Sequence, residues 1–298
     1  KYPSPGNFIK IDGDDIHYLY TGQRHQNSPL VVLIGGSGCS LLEWSIVQPE
    51  ISKFSRVLSY DRKGLGWSKL SSTPRKLENL AQDLYDLLKA IPGPYVLVGH
   101  SMAGIIIPEL VSKYPDLDVQ SVVLLDAIEG NYQKYYPNIM SNISSEWLTF
   151  LEFYSGYLRI SDWYRNASKA DAMFDEWTKN AIDANYYARG FLGSYAETSR
   201  QYKGAPIFLL NLEKAKSISN ILIDKKIPVF VLSAAVNNYA ESVDSLDNKI
   251  WKEIQEDLKR KYGNQIIAGG SDHMINRNAP YVITEFINKI AKISTVKE

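Results

Sequence analysis

A short serine-containing segment and a small set of histidines are the residues whose types and spacing could carry out chemistry. Residues 99–104 read Gly-His-Ser-Met-Ala-Gly, directly after the apolar run Tyr95–Val98 and before a helical pattern over about Ala103–Lys113. A serine on a tight strand-to-helix turn, with small residues two positions to either side, exposes its hydroxyl as a nucleophile. Ala103 stands where glycine is usual, but alanine is the next smallest side chain. The pattern predicts Ser101 as the nucleophile of a hydrolase.

A serine hydroxyl is a weak nucleophile until a base takes its proton, and histidine is the usual base. The chain has four histidines. His17 lies in an early hairpin pattern and His25 in a polar loop, whereas His100 precedes the serine and should point elsewhere on the turn. His273 follows the last strand pattern in a glycine-rich loop, which matches the chain order of serine, acid and histidine in nucleophile-elbow enzymes. We therefore predict His273 as the base.

The acid that orients the histidine is the open part of this prediction. Its common position, after the next-to-last strand, holds Asn237, and an amide lacks the charge that stabilises the imidazolium. A carboxylate does follow the strand after the nucleophile helix, at Asp126. Asp126 is the predicted acid, and Glu241 and Asp244 remain the alternatives.

Acyl transfer also needs backbone N–H groups that stabilise a negative oxygen. One should be the N–H of Met102, next to the nucleophile, and the other the N–H of Ser37, in the loop after strand pattern Leu30–Ile34. Glycines at 35, 36 and 38 allow that backbone to approach the substrate closely. The Lys-Ser/Thr ending of a phosphate-binding loop is absent, so the loop is not predicted to hold a nucleotide.

Three other reactive side chains near this loop have simpler interpretations. Cys39 is expected to be a small packing residue. Asp61 and Arg62 begin a glycine-containing turn over 61–68 and are expected to form structural pairs. None of the His, Cys, Asp or Glu groups has metal-ligand spacing, so no metal or other cofactor is predicted.

The elements that must position these residues alternate between apolar strands and helical patterns. Continuous apolar runs separated by helices are typical of a parallel sheet covered on both faces. Strands are predicted over Phe8–Ile11, Ile16–Tyr20, Leu30–Ile34, Arg56–Tyr60, Tyr95–Val98, Ser121–Leu125, Pro228–Ser233 and Gln265–Ala268. Helices are predicted over Leu77–Leu88, Ala103–Lys113 and Trp251–Lys261, and from Pro280 onward.

This alternation stops in the middle of the chain, where aromatic residues concentrate. Eighteen of the 35 Phe, Trp and Tyr residues fall between 127 and 226, about a third of the length. Trp147, Phe150 and Tyr154 recur at helical spacing and could line an apolar pocket, although packing alone would also explain such rings. The organisation predicted is a core over 1–126, a helical cap over 127–216 and a second core part over 217–298.

Bulk composition excludes several classes of partner. Lys plus Arg equals Asp plus Glu at 33 each, so no net field would recruit nucleic acid. No apolar run reaches the roughly 18 residues that span a bilayer. The chain begins at Lys1 rather than Met, so we expect a trimmed start and leave the compartment open. The expected partner is a small-molecule substrate, and the oligomeric state stays open.

In these residues and in the order of its elements, the sequence resembles the α/β-hydrolase superfamily, and most of all its bacterial capped serine hydrolases. The resemblance implies an eight-stranded, mostly parallel sheet with helices on both faces, a helical cap and a Ser-His-acid triad. It covers nearly all of the core and fades through the cap. Its motifs lie at Tyr2–Gly6, Gly36–Gly38 with Trp44 and Val47–Pro49, Tyr60–Ser68, Gly93–Ser101, Val122–Ala127 and Gly270–His273.

The leading functional hypothesis is hydrolysis of a carboxylic ester, or an amide, of a small and largely apolar substrate. A proline-iminopeptidase-like aminopeptidase is the first alternative; it would use acidic cap residues such as Glu146, Glu152 and Asp162 to hold the substrate amine. The second is a ligand-binding or sensor protein without turnover, for which Asn237 is the one favourable feature.

Overall fold

The computed structural model describes residues 3–23, 28–135, 201–202, 205–236 and 245–295, together with residues 175, 176, 178, 181 and 197. Its strands are β1 (Asn7–Ile11), β2 (Asp14–Thr21), β3 (Leu30–Ile34), β4 (Arg56–Tyr60), β5 (Tyr95–His100), β6 (Val119–Leu125), β7 (Gln201–Tyr202), β8 (Ala205–Pro206), β9 (Val229–Ala234) and β10 (Gln265–Ala268). Its helices are α1 (Val47–Ile51), α2 (Leu77–Ala90), α3 (Ala103–Lys113), α4 (Tyr132–Tyr135), α5 (Ile207–Ser217), α6 (Ile221–Asp224), α7 (Leu246–Tyr262), α8 (Ile275–Asn278) and α9 (Pro280–Thr295), with a 3₁₀ turn at Leu41–Trp44.

Eight of the strands form one sheet in the order β1-β2-β4-β3-β5-β6-β9-β10. The pairs β1–β2 and β2–β4 are antiparallel, and every other neighbouring pair in this sheet is parallel. The predicted eight-stranded, mostly parallel sheet is therefore confirmed. The strands β7 and β8 pair separately with each other.

Alternation along the buried strands explains why both faces of the sheet are covered. In β3, Val31 and Leu33 enter a core that includes α1 and α9, whereas Val32 and Ile34 enter the core that includes α2, α3 and α7. Successive side chains of a strand point to opposite faces, so a wholly apolar strand can bury both of its faces only in a three-layer structure. The composition of β3 thus requires helices on each side.

The helix α5 falls within the segment predicted as the cap, and it packs on the core. Leu212 and Ala215 are buried in the same core as α2 and α3. Asn211 accepts a hydrogen bond from the Leu77 N–H at 2.7 Å and donates to the Arg75 carbonyl at 3.2 Å. The first of these bonds pairs the Leu77 N–H, which is one of the free N–H groups at the start of α2. The cap boundaries themselves remain a prediction.

Parallel strands place all of their carboxyl ends at one edge of the sheet, and loops at that edge are the usual location of sites in open α/β sheets. The loops that follow β3, β4, β5, β6 and β10 begin with Gly35, Asp61, Ser101, Asp126 and Gly269. The residues singled out by their chemistry therefore converge on one edge.

Candidate active site

Ser101 occupies the turn between β5 and α3 in a strained backbone conformation, with φ of 52°. A non-glycine residue held at positive φ needs support from its surroundings. A Cβ added at Gly99 would lie 2.6 Å from Ile107 Cδ1 and 3.1 Å from Ala103 Cβ, so a side chain there would force Ile107 to move where strand and helix approach. The Ala103 methyl group fills the space left beside Gly99, which makes alanine acceptable at the position where glycine is usual.

Backbone hydrogen bonds tie Ser101 to the end of the neighbouring strand β6. The Ser101 N–H donates to the Leu125 carbonyl at 3.1 Å, and the Ser101 carbonyl accepts from the Ile128 N–H at 3.1 Å. The residues on either side of Asp126 are thus fixed relative to the serine.

Asp126 and His273 lie together at this edge, although 147 positions separate them in the chain. His273 Nδ1 is 2.7 Å from Asp126 Oδ2, the Asp126 side chain is fully buried, and that of His273 is 24% exposed. An ionised carboxylate can only accept, so this contact places the hydrogen on Nδ1 and leaves the Nε2 lone pair available to take a proton. The carboxylate and imidazole therefore have the arrangement of an orienting acid and a base.

Two further donors hold the Asp126 carboxylate. The Ala234 N–H donates to Oδ1 at 2.9 Å, and Trp251 Nε1 donates to Oδ2 at 2.7 Å. The Trp251 ring also meets the His273 ring edge to face, with centroids 4.8 Å apart. Trp251 is not among the site residues predicted from the sequence, because a tryptophan on the apolar face of a helix is indistinguishable from a core residue.

His100 contributes to the site in a way that differs from the sequence prediction. Rather than pointing elsewhere, it donates from Nε2 to the His273 carbonyl at 2.8 Å, and the two rings lie 4.7 Å apart. Burial and the neighbouring His273 lower the pKa of His100 to about 3. His100 is therefore neutral at ordinary pH, and it anchors the backbone of the loop that carries His273.

The loop after β3 packs directly on the serine. A Cβ added at Gly36 would lie 2.9 Å from Ser101 Cβ and 3.1 Å from His100 Nδ1, so the backbone there approaches as only glycine allows. Ser37 is exposed next to this contact, and Met102 is buried at the start of α3. Their N–H groups as oxyanion donors remain a prediction.

The two charged residues after β4 form buried pairs, as expected for structural residues. Asp61 Oδ2 lies 2.7 Å from His17 Nδ1, and both side chains are fully buried. Arg62 pairs with Glu197, with its Nε 2.7 Å from Oε1. The sequence offered no signal for Glu197 as the partner, since 135 positions separate the two.

The contacts and surroundings of Asp272, Glu43 and Cys39 favour structural roles for these three residues. Asp272, the sequence neighbour of His273, accepts from the Met274 N–H at 3.0 Å near the start of α8. Glu43 accepts from Arg277 Nε at 2.6 Å. Burial, reinforced by Glu43, raises the pKa of the Cys39 thiol to about 12, which suits a packing residue rather than a thiolate nucleophile.

Several predicted positions lie outside the described residues. They are the pocket aromatics Trp147, Phe150 and Tyr154, the acidic cap residues Glu146, Glu152 and Asp162, and Asn237, Glu241 and Asp244. Within the described residues, no cluster of three or more His, Cys, Asp or Glu side chains could hold a metal ion. No helix in that same part of the chain is long and apolar enough to cross a bilayer.

Comparison with known proteins identifies the family. Residues 31–281 match the sequence profile of the alpha/beta hydrolase family. The chain belongs to this family. Among curated α/β-hydrolase relatives, an AB hydrolase superfamily protein of Gibberella zeae is 29% identical over 321 residues, which cover 96% of this chain and 94% of the relative. Protein phosphatase methylesterase 1 of Bos taurus is 29% identical over 125 residues, 40% of this chain and 32% of the relative.

Solved structures share the fold of this α/β-hydrolase at low identity. A structure described with the carboxylesterases of the ammonia-oxidizing thaumarchaeon Nitrososphaera gargenis has a TM-score of 0.69 at 16% identity, covering 97% of this chain and 99% of that one. This α/β-hydrolase spans only 43% and 41% of the length of two other curated relatives that it matches. The family match and the structural neighbours establish the family and the fold of this chain.

Proposed function

We propose that the protein hydrolyses carboxylic esters of small, largely apolar substrates through an acyl-enzyme on Ser101. The observation that carries the proposal is the contact between Asp126 and His273 at the sheet edge where Ser101 sits on its strained turn. A serine hydrolase needs its nucleophile, base and acid to converge, and the chain order serine, acid, histidine is the one that α/β-hydrolases use. Relatives and structural neighbours that include a methylesterase and carboxylesterases agree with ester chemistry.

In the first half of the reaction, the Ser101 Oγ attacks the ester carbonyl carbon while His273 Nε2 takes the hydroxyl proton. The carbonyl oxygen becomes negative and is stabilised by the backbone N–H groups of Met102 and Ser37. The intermediate then collapses: the bond to the alcohol oxygen breaks, and His273 returns the proton to the departing alcohol. Asp126 stabilises the imidazolium that exists between the two proton transfers.

The second half repeats these steps with water. His273 removes a proton from a water molecule, the hydroxide attacks the acyl carbon, and the proton passes to the Ser101 oxygen as the carboxylic acid leaves. The buried carboxylate beside His273 supports turnover over the sensor alternative, because it supplies the charge that Asn237 lacks.

The test is a pre-steady-state assay with an activated aryl ester. We expect a burst of phenolate that matches the enzyme concentration, and one fluorophosphonate adduct located on Ser101 by mass spectrometry. Ser101→Ala should abolish both. Ser52→Ala is the matched control, because the Ser52 hydroxyl donates to the Pro49 carbonyl of its own helix at 2.7 Å, and this variant should retain both the burst and the adduct.

Absence of any fluorophosphonate adduct on the folded wild-type protein would refute the proposal. An adduct on another serine that survives in Ser101→Ala would refute the assignment of the nucleophile.

A further inference from the structure

The Arg62 guanidinium joins two parts of the molecule that are distant in sequence. Its Nη1 donates to the Gly35 carbonyl and its Nη2 to the Gly36 carbonyl, both at 2.6 Å. Its Nε and Nη2 also donate to the two carboxylate oxygens of Glu197, at 2.7 and 2.9 Å. Glu197 belongs to the segment predicted as the cap. One planar cation thus binds the loop after β3 on one side and a residue of the middle segment on the other.

The carbonyls that Arg62 binds determine the orientation of the next N–H group. The Gly36 carbonyl and the Ser37 N–H belong to one peptide unit, which is planar, and in the trans form they point in opposite directions. Fixing the carbonyl toward Arg62 therefore fixes the N–H on the opposite side. Gly36 itself lies against Ser101, where an added Cβ would be 2.9 Å from Ser101 Cβ. Because glycine has little intrinsic backbone preference, the orientation of this peptide depends on the hydrogen bonds to its carbonyl, from Arg62 at 2.6 Å and from the Cys39 N–H at the longer distance of 3.3 Å.

The charge distribution makes Arg62 dependent on Glu197. Both side chains are buried, the Glu197 side chain fully. Burial alone lowers the pKa of Arg62, but the Glu197 carboxylate more than offsets it, so the pKa is raised. A buried cation that loses its partner is strongly unfavourable. Without Glu197, the guanidinium would move toward water or another acceptor, and the Gly36 carbonyl would keep only the longer, uncharged bond from the Cys39 N–H at 3.3 Å among the described contacts. The cation also polarises the Gly36 peptide, which strengthens the Ser37 N–H as a donor.

We propose that Arg62 and Glu197 are positioning residues that hold the Ser37 N–H in the orientation needed to stabilise the oxyanion. The kinetic part of this inference rests on the proposed ester hydrolysis, whereas its conformational part does not. Through Glu197, the middle segment of the chain contributes to the oxyanion site without touching the substrate.

The conformational part is tested by NMR on protein carrying ¹³C at glycine carbonyls and ¹⁵N at serine amides. Only three Gly-Ser peptides exist in the sequence, at 36–37, 193–194 and 270–271, so the spectrum of linked pairs should contain three peaks. Ser37→Ala removes one peak and thereby assigns it. Arg62→Gln and Glu197→Gln should move the 36–37 peak, with the carbonyl shifted upfield because it has lost a charged donor.

Arg56→Gln is the matched control for these variants. Arg56 is also a buried arginine that donates to two loop carbonyls, those of Pro92 and Ser28, but it lies at the start of β4 rather than after its end. It should leave the 36–37 peak in place. An unmoved 36–37 peak in folded Arg62→Gln and Glu197→Gln would overturn the inference, whatever their activity.

The kinetic part uses the same variants with the activated ester, corrected for the active fraction by fluorophosphonate titration. Loss of one oxyanion donor lowers kcat by about 10²–10³-fold. A displaced donor should therefore lower kcat by about 10- to 100-fold in Glu197→Gln and more in Arg62→Gln, with KM changed less than about threefold. Arg62→Lys keeps the positive charge but lacks the planar set of N–H donors, so it should restore only part of the lost kcat.

The two proposals fail in different ways. A wild-type protein that neither reacts with fluorophosphonate nor hydrolyses esters refutes the proposed function, while a displaced 36–37 peak would still support the conformational role of Arg62. Normal kcat in Glu197→Gln despite a displaced peak refutes the catalytic consequence of this positioning.

Discussion

Replacing Asp126 by asparagine tests the assignment of the acid, and the structure predicts its effect in some detail. The side chain of Asp126 accepts three hydrogen bonds: from Ala234 N–H on Oδ1, and from Trp251 Nε1 and His273 Nδ1 on Oδ2. An asparagine has one acceptor oxygen and one NH₂ group, so its oxygen can replace either Oδ1 or Oδ2 but not both.

The two orientations of the amide have different consequences. With its oxygen toward Trp251 and His273, the tautomer of His273 is kept, but the NH₂ group faces the Ala234 N–H. With its oxygen toward Ala234, the NH₂ group opposes the Trp251 donor and forces the wrong tautomer of His273. Each orientation leaves one buried donor without an acceptor, either the Ala234 N–H or the Trp251 Nε1–H, at a cost of about 1–3 kcal/mol, so both orientations have to be considered.

The first orientation still lacks the negative charge. A charge pair about 4 Å apart contributes about 4 kcal/mol at an effective dielectric constant of 20, which corresponds to about 10³-fold in rate. The second orientation adds the tautomer penalty, as in the protease triad where the same substitution lowers turnover by about 10⁴-fold. We therefore expect Asp126→Asn to lower kcat by about 10³- to 10⁴-fold.

The assay is the rate of phenolate release from the activated ester under single-turnover conditions, with the folded fraction checked by near-ultraviolet circular dichroism. Glu241→Gln and Asp244→Asn are the comparison variants, and both should retain activity within about tenfold of the wild type. If Asp126→Asn retains that activity and one of the other two loses it, the reasoning about the acid is wrong.

Three further predictions follow from single contacts. Trp251→Phe removes a donor to the buried Asp126 carboxylate, so the free energy of unfolding should fall by about 1.5–3 kcal/mol, and kcat should fall as well. If both the free energy of unfolding and kcat stay unchanged, this hydrogen bond does not have the role described. Gly36→Ala should reduce acylation at least about 10²-fold because the new methyl group meets Ser101, while thermal melting shows a folded protein; wild-type acylation would contradict the close approach. Burial raises the pKa of the Glu109 carboxyl above its ordinary value of 4.5. Between the unfolded and the folded pKa, the folded state therefore binds a proton that the unfolded state has lost. The free energy of unfolding of the wild type should fall as the pH rises from about 4.5 toward the folded pKa. Glu109→Gln lacks this titration, so its melting temperature should rise relative to that of the wild type as the pH is raised above about 4.5, and a difference that does not change with pH would contradict the prediction.

Elements that depend on local sequence patterns were predicted from the sequence with nearly their observed bounds. The strand β3 was predicted with its observed bounds, Leu30–Ile34, because a fully buried parallel strand is a continuous apolar run with polar or glycine neighbours. The helix over Ala103–Lys113 was likewise predicted within its observed bounds. Strand β5 extends two residues further than predicted, to His100, since pairing with β6 continues up to the turn.

Residues that act through long-range contacts could not be found in this way. Trp251 begins a predicted helix, Glu197 lies in the segment predicted as the cap, and His100 was expected to point elsewhere rather than to bind the His273 backbone. Nothing in their local sequence distinguishes them, because their partners lie more than 100 positions away.

The sequence by itself determined the family, the order of the core elements and a short set of candidates for nucleophile, base and acid. These depend on periodicity, on glycine at tight turns and on residue type, all of which are local properties. Only the tertiary structure decided which carboxylate stands beside His273 among the described residues, and that Arg62 joins the loop after β3 to Glu197. Such contacts arise when the parallel sheet brings the carboxyl ends of its strands to one edge, and their geometry depends on the packing of the whole domain.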